Sequence, residues 1–148
     1  MSLSSRDTVA ARYAQWSSGR RAQGVVVGTP GLILRVEHAV VLAAAGVAYA
    51  RAGLGWPLFA ALFLTPDLSM LGYLAGRSFG AFTYNLGHSY VLPAALVGWG
   101  LLGGQSLPLG LGLIWIAHIG FDRLLGYGLK YTTGFGHTHL GLVGKMRG

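Results

Sequence analysis

With 148 residues, the chain is bounded to one domain. Hydrophobic residues make up 53% of it and charged residues 10%, against roughly 25% charged in a soluble protein, which excludes an ordinary water-soluble globule. There is no cysteine, so disulfides, cysteine zinc sites and thiol chemistry are excluded; the net charge of +7 is spread over termini and short connections, without the aromatic–basic interleaving of a nucleic-acid surface.

Residues 1–30 form a polar tail with no secretory signal pattern. Within it Val9, Tyr13 and Trp16 fall at helical spacing, with Arg12, Arg20 and Arg21 around them and Ser4 or Ser5 as a cap. This spacing predicts a short interfacial helix on the cytoplasmic face, docked on lipid or on a partner; the alternative is a frayed polar terminus. Four apolar stretches follow, Leu32–Ala50, Trp56–Ala75, Phe79–Leu102 and Leu107–Leu129. Each has about 20 residues, the length that crosses roughly 30 Å of hydrocarbon. Short, glycine-rich connections at Arg51–Gly55, Gly76–Ser78 and Gly103–Pro108 force antiparallel neighbours. The expected fold is all-α: an integral membrane four-helix up-down bundle over residues 31–130, between the interfacial tail and a cytoplasmic C-terminal tail, 131–148. Gly72, Gly76 and Gly80 recur every four residues, either to admit a neighbouring helix closely or to break the chain between the second and third stretches.

Orientation follows from the basic residues. Arg6, Arg12, Arg20, Arg21 and Arg35 precede or open the first stretch, Arg77 lies in the second connection, and Arg123, Lys130, Lys145 and Arg147 gather at the end. The first connection has only Arg51 and the third has none. Four crossings put both termini and the second connection on one side, which the charge makes cytoplasmic, next to anionic lipid heads.

The informative residues are polar groups inside the stretches. Of four acids, Glu37, Asp67 and Asp122 lie there, with His38, His88, His118 and Asn85. Ionisable side chains in hydrocarbon cost about 2.5–3.5 kcal/mol each by insertion scales, so they are expected to face the interior and find partners. Counted inward along each stretch, Glu37, Asp67, Asn85, His88, His118 and Asp122 reach one layer roughly 7–15 Å below the cytoplasmic surface. Asn85 and His88 share a helix face, as do His118 and Asp122; His38, next to Glu37, points elsewhere. Asp67, His88, His118 and Asp122 are therefore expected in one cluster, with Glu37 and Asn85 at its edge. Two readings fit. Nitrogen and oxygen ligands from several helices suit a divalent metal such as zinc, manganese or iron. Alternatively the cluster is a structural hydrogen-bond network in which Arg35 or Arg123 neutralises a carboxylate. The glycine-flanked pair His137 and His139 binds metal, folds back over the cytoplasmic mouth, or is a surface loop.

Six motifs in order, PDLSMLGY (Pro66–Tyr73), YNLGH (Tyr84–His88), Leu92–Pro93, IWIAHIGFDR (Ile114–Arg123), GYGLKY (Gly126–Tyr131) and THLG (Thr138–Gly141), resemble the bacterial domain of unknown function 4260 family. The resemblance covers about residues 31–144. It implies a small integral membrane protein, hence a bacterial inner membrane, and marks Asp67, Asn85, His88, His118, Asp122, Arg123 and His139 as motif positions, without a reaction. The tail before the first stretch departs from the compact family pattern.

Three functions remain. The first is a non-catalytic subunit of a larger membrane complex of respiratory or photosynthetic type, docked through the tail to other membrane subunits. The second is a membrane metal-dependent hydrolase using the Asp/His cluster. The third is a small carrier or proton-coupled channel, for which four short helices leave little room.

Overall fold

A computed structural model of the chain describes residues 24–26 and 28–143. The tail helix expected around Val9, Arg12, Tyr13, Trp16, Arg20 and Arg21 lies outside the described residues. In chain order the elements are α1 (Gly28–Arg51), α2 (Trp56–Leu62), a 3₁₀ helix (Thr65–Ala75), α3 (Arg77–Gly87), α4 (Val91–Gly103), α5 (Ser106–Leu125), and a two-stranded hairpin of β1 (His137–Thr138) and β2 (Gly141–Leu142).

The helices make four segments long and apolar enough to cross a membrane: Gly28–Arg51, Trp56–Ala75, Arg77–Gly103 and Ser106–Leu125. They follow the four predicted stretches. The fourth stops at Leu125, short of the expected Leu129, because Gly126 takes a left-handed conformation (φ 95°) that closes the helix.

Segments two and three are broken rather than continuous helices. In segment two Pro66 has no N–H for an α-helical bond, and the chain tightens: the Asp67 amide bonds the Leu64 carbonyl at 3.2 Å, three residues back. In segment three α3 ends at Gly87 and α4 begins at Val91, with Pro93 in the first turn, where a missing N–H goes unneeded. Both breaks fall beside the polar cluster.

The buried axis of the bundle is α5, against which α1 and α4 both pack. Small residues set the spacing. A Cβ on Gly112 would come within 2.7 Å of the Pro93 carbonyl, and one on Gly120 within 3.1 Å of the His38 carbonyl. The 3₁₀ helix lies along α3 and touches α5 only slightly. Gly72 faces Thr83 there and Gly80 faces Tyr73, while Gly76 (φ 119°) makes the turn between the two helices. The glycine series thus serves both expected purposes at different positions. Tyr49, Leu113 and Ile114 form the apolar core, and the outer surface is apolar too, with Leu32, Val36, Val40, Leu68, Leu71 and Leu102 exposed.

The residues after α5 double back as a cap. Lys130 bridges Thr138, His137 pairs with Leu142, and the Val26 amide donates to the His139 carbonyl at 2.8 Å. Residues expected as a C-terminal tail thus form, up to Val143, a packed cover over α3 and the start of α1.

Candidate metal centre

Four side chains converge from three segments. Asp67 follows the break in segment two, His88 occupies the break in segment three, and His118 and Asp122 lie one turn apart on α5. His88 Nε2 is 3.2 Å from His118 Nε2 and 3.4 Å from both Asp67 Oδ1 and Asp122 Oδ2. His118 Nε2 is 3.6 Å from Asp67 Oδ1 and 3.9 Å from Asp122 Oδ2. All four ligand atoms fall within 4.8 Å of one another. A tetrahedral centre with bonds of roughly 2.0–2.1 Å to nitrogen and oxygen has ligand–ligand edges of about 3.3–3.4 Å. Five of the six separations, 3.2–3.9 Å, lie at or somewhat above that edge and the whole set lies within 4.8 Å, so a small divalent cation would be held once the carboxylates close in.

The groups around the ligands orient them. His88 Nδ1 lies 2.9 Å from the Tyr84 carbonyl, which can only accept, so that nitrogen donates and Nε2 is the ring atom turned toward the other ligands. The Tyr84 hydroxyl donates to Asp122 Oδ2 at 3.3 Å, and its ring stacks on His88 at 3.8 Å. Phe63 closes against His118 edge-on at 5.5 Å. Imidazole nitrogens and carboxylate oxygens thus face one another in a largely apolar interior, a donor set that a cation at the centre would suit.

The alternative network lacks the counter-charge expected for it. Among the described residues the ion-pair partners of Asp67 and Asp122 are His88 and His118 alone. Arg35 lies against Gly126. Arg123 donates from Nη2 to the His88 carbonyl at 3.1 Å, places Nη1 3.3 Å from His38 Nε2, and covers the Tyr90 ring at 4.8 Å. Its role is to hold the break. Trp115 does the same one residue earlier, donating Nε1–H to the Gly87 carbonyl at 2.5 Å. Carbonyls released by the interruption therefore find donors on α5, as buried backbone groups must.

Other residues singled out in the sequence lie apart. Glu37, expected at the edge of the cluster, is instead exposed on the outer face of α1, because α5 packs on the opposite side, along His38 and Leu42. Asn85 faces the cap: its amide donates to the Lys130 carbonyl at 2.9 Å and accepts from the Lys130 N–H at 2.7 Å. His137, buried, and His139, partly buried, lie in the cap rather than with the four ligands. His137 Nδ1 pairs with Thr133 Oγ1 at 2.7 Å, and the Leu129 amide donates to His139 Nδ1 at 2.8 Å. Burial holds the His139 imidazole below its ordinary range, and the Arg123 charge adds to this.

Sequence reasoning counted Lys130 only for orientation. The residue is 5% exposed, and its ammonium lies 3.2 Å from the Phe135 ring centre, 4.1 Å from Tyr84 and 5.4 Å from Tyr73. This aromatic cage supplies cation–π attraction in place of an ion pair. Burial pushes its pKa down to about 8, against the opposing fields of Asp122 and Asp67. Tyr84 was overlooked as well, although its position four residues before His88 places it one helical turn away.

The family model for the domain of unknown function 4260 matches residues 31–143, and the chain belongs to that family. No curated protein and no solved structure matches the chain.

Proposed function

We propose that the chain is a multi-pass membrane protein built around a divalent metal centre of Asp67, His88, His118 and Asp122, and that it works as a metal-dependent hydrolase. The observation that carries this reading is the convergence of two imidazole nitrogens and two carboxylate oxygens within 4.8 Å, with neither Lys nor Arg paired to the acids among the described residues. The four apolar segments support membrane insertion by their length and composition. The charge asymmetry places both termini on the cytoplasmic side of a bacterial inner membrane.

Zinc suits the four-coordinate spacing best, and such a cation would polarise an ester oxygen and bring the pKa of bound water down to about 7. The protein's part is unequal between the carboxylates. Asp122 is 14% exposed and held by Tyr84. Asp67 is 32% exposed and makes no further side-chain hydrogen bond among the described residues. Asp67 is thus the carboxylate free to release the cation and act as general base. An accessory-subunit role would leave this convergence unused, and the tail residues that motivated it lie outside the described residues; a carrier or proton-coupled channel would use the same acids but has little room in four short helices.

The test is metal content. Full-length protein purified in mild detergent from zinc-supplemented cells is expected to retain close to one equivalent of zinc per chain by plasma mass spectrometry. His118→Ala and Asp122→Asn, matched to it in folding by circular dichroism, are expected to lose it. Equal metal in all three would overturn the centre.

A further inference from the structure

We propose that the centre opens sideways, through the face of the 3₁₀ helix, and that its substrate is an ester of a bilayer lipid. This rests on the metal-centre reading above.

Among the described residues, aromatic rings line both ends of the cluster. On one side Tyr49, Trp56, Phe59 and Phe63 form a continuous row of rings with centres 5.1–5.6 Å apart. Phe63 ends that row against His118 at 5.5 Å and Phe121 at 5.6 Å. On the other side Tyr73, Tyr84 and Phe135 close around Lys130, and Asn85 holds the cap down. Flanking helices α1 and α4 are packed on α5.

Among the described residues the most open approach to the cluster is past Asp67. Its side chain is 32% exposed, against 3% for His88, 1% for His118 and 14% for Asp122. Segment two covers this flank thinly, because the 3₁₀ helix lies along α3 and barely reaches α5. Leu64 caps this helix, and its carbonyl accepts from the Asp67 amide at 3.2 Å, one turn away. Leu64, Leu68 and Leu71 are all exposed; Leu68 follows Asp67 directly in the chain, and Leu71 lies one turn beyond Leu68 on the neighbouring face of the helix. A polar solute would have to cross this aliphatic surface, whereas a bilayer lipid would already lie against it. The catalytic group most able to move is therefore also the one that meets the bilayer.

The chemistry balances with water as co-reactant. The water oxygen bonds to the acyl or phosphoryl centre, and the bond from that centre to the lipid's alcohol oxygen breaks. Asp67 takes the water proton and delivers it to the departing oxygen, leaving an acid and an alcohol.

Copper(II) serves as a probe, since imidazole and carboxylate sites bind it tightly. The full chain is loaded with copper and placed in nanodiscs of phosphatidylethanolamine and phosphatidylglycerol deuterated in the glycerol and upper acyl carbons. Electron spin-echo modulation is expected to detect lipid deuterium at the bound copper. Leu68→Trp is expected to abolish that modulation at unchanged copper stoichiometry, and Leu102→Trp, on an exposed position of α4, to leave it intact. Copper bound in full but modulated only by deuterated water would overturn the lateral opening while leaving the metal centre standing. Failure of copper to bind the wild-type chain, or equal binding to His118→Ala, would overturn both.

Discussion

Segments four and three carry ligands in opposite ways. Helix α5 is continuous, and it presents His118 and Asp122 one turn apart on a buried face. Segment three is interrupted, and its ligand His88 sits in the interruption, where backbone regularity has been given up. The difference is one of backbone accounting. The continuous helix satisfies its own peptide groups and spends only side chains on the centre. The broken segment releases the Gly87 and His88 carbonyls, and α5 returns donors to them through Trp115 and Arg123. One helix therefore supplies two ligands and also repairs the break that positions a third. In a bilayer, irregular backbone is tolerable only where protein surrounds it, and here Trp115 and Arg123 bond the carbonyls that the break leaves.

The sharpest way to break the comparison is to remove the repair. Arg123→Met keeps the length and apolar stem of the side chain but strands the His88 carbonyl. Losing a charge-assisted bond of this kind is expected to cost about 1.5–3 kcal/mol, read from reversible unfolding in mixed micelles. An unchanged unfolding midpoint would mean that segment three holds its break unaided.

A second substitution tests the ligand shell. Tyr84→Phe deletes the hydroxyl on Asp122 but keeps the ring stacked on His88. Outer-shell losses typically lower metal affinity by roughly 10–100-fold, and a competition titration against a zinc chelator should find the change in that range. Wild-type affinity would show that Asp122 needs no second partner.

The cap offers a smaller effect with a definite sign. Lys130 titrates near 8 in the folded chain and at 10.5 ordinarily. Between those values the undocked cap holds a proton that the docked cap has released, so docking strengthens as pH rises through the window and is weakest below it. Protection of the Lys130 amide, corrected for intrinsic exchange, should increase from pH 8 to pH 10. In Lys130→Met it should stay flat. A decrease in the wild type would reverse the assignment. The smallest effect is expected at Glu37, exposed and away from the centre. Glu37→Gln should alter stability by no more than about 0.5 kcal/mol and leave zinc content unchanged; a lost metal equivalent would return Glu37 to the site.

Much of this architecture was readable from composition and depth. The four apolar segments came from hydropathy alone. The common depth of Asp67, His88, His118 and Asp122 brought these residues together before any coordinates, because ionisable groups in apolar helices have few places to go. The same logic failed for Glu37, since depth fixes height along a helix and says nothing of which way α1 is rotated. It also missed the two breaks. Pro66 and Pro93 were visible, but an apolar run of helical length reads as one helix when the donors that stabilise a break, Trp115 and Arg123, lie far along the chain. The cap was illegible for a related reason. Its contacts are long-range, Asn85 with Lys130 and Val26 with His139, and two-residue strands leave no period to detect.

The central claim is that two imidazoles and two carboxylates share one cation. X-ray absorption at the zinc edge of the purified, zinc-loaded full chain addresses it directly. The account predicts a four-coordinate zinc with nitrogen and oxygen neighbours at about 2.0–2.1 Å and the outer-shell scattering of two imidazole rings, one of which disappears in His88→Ala. A six-coordinate spectrum of oxygen neighbours alone, unchanged by that substitution, would contradict it.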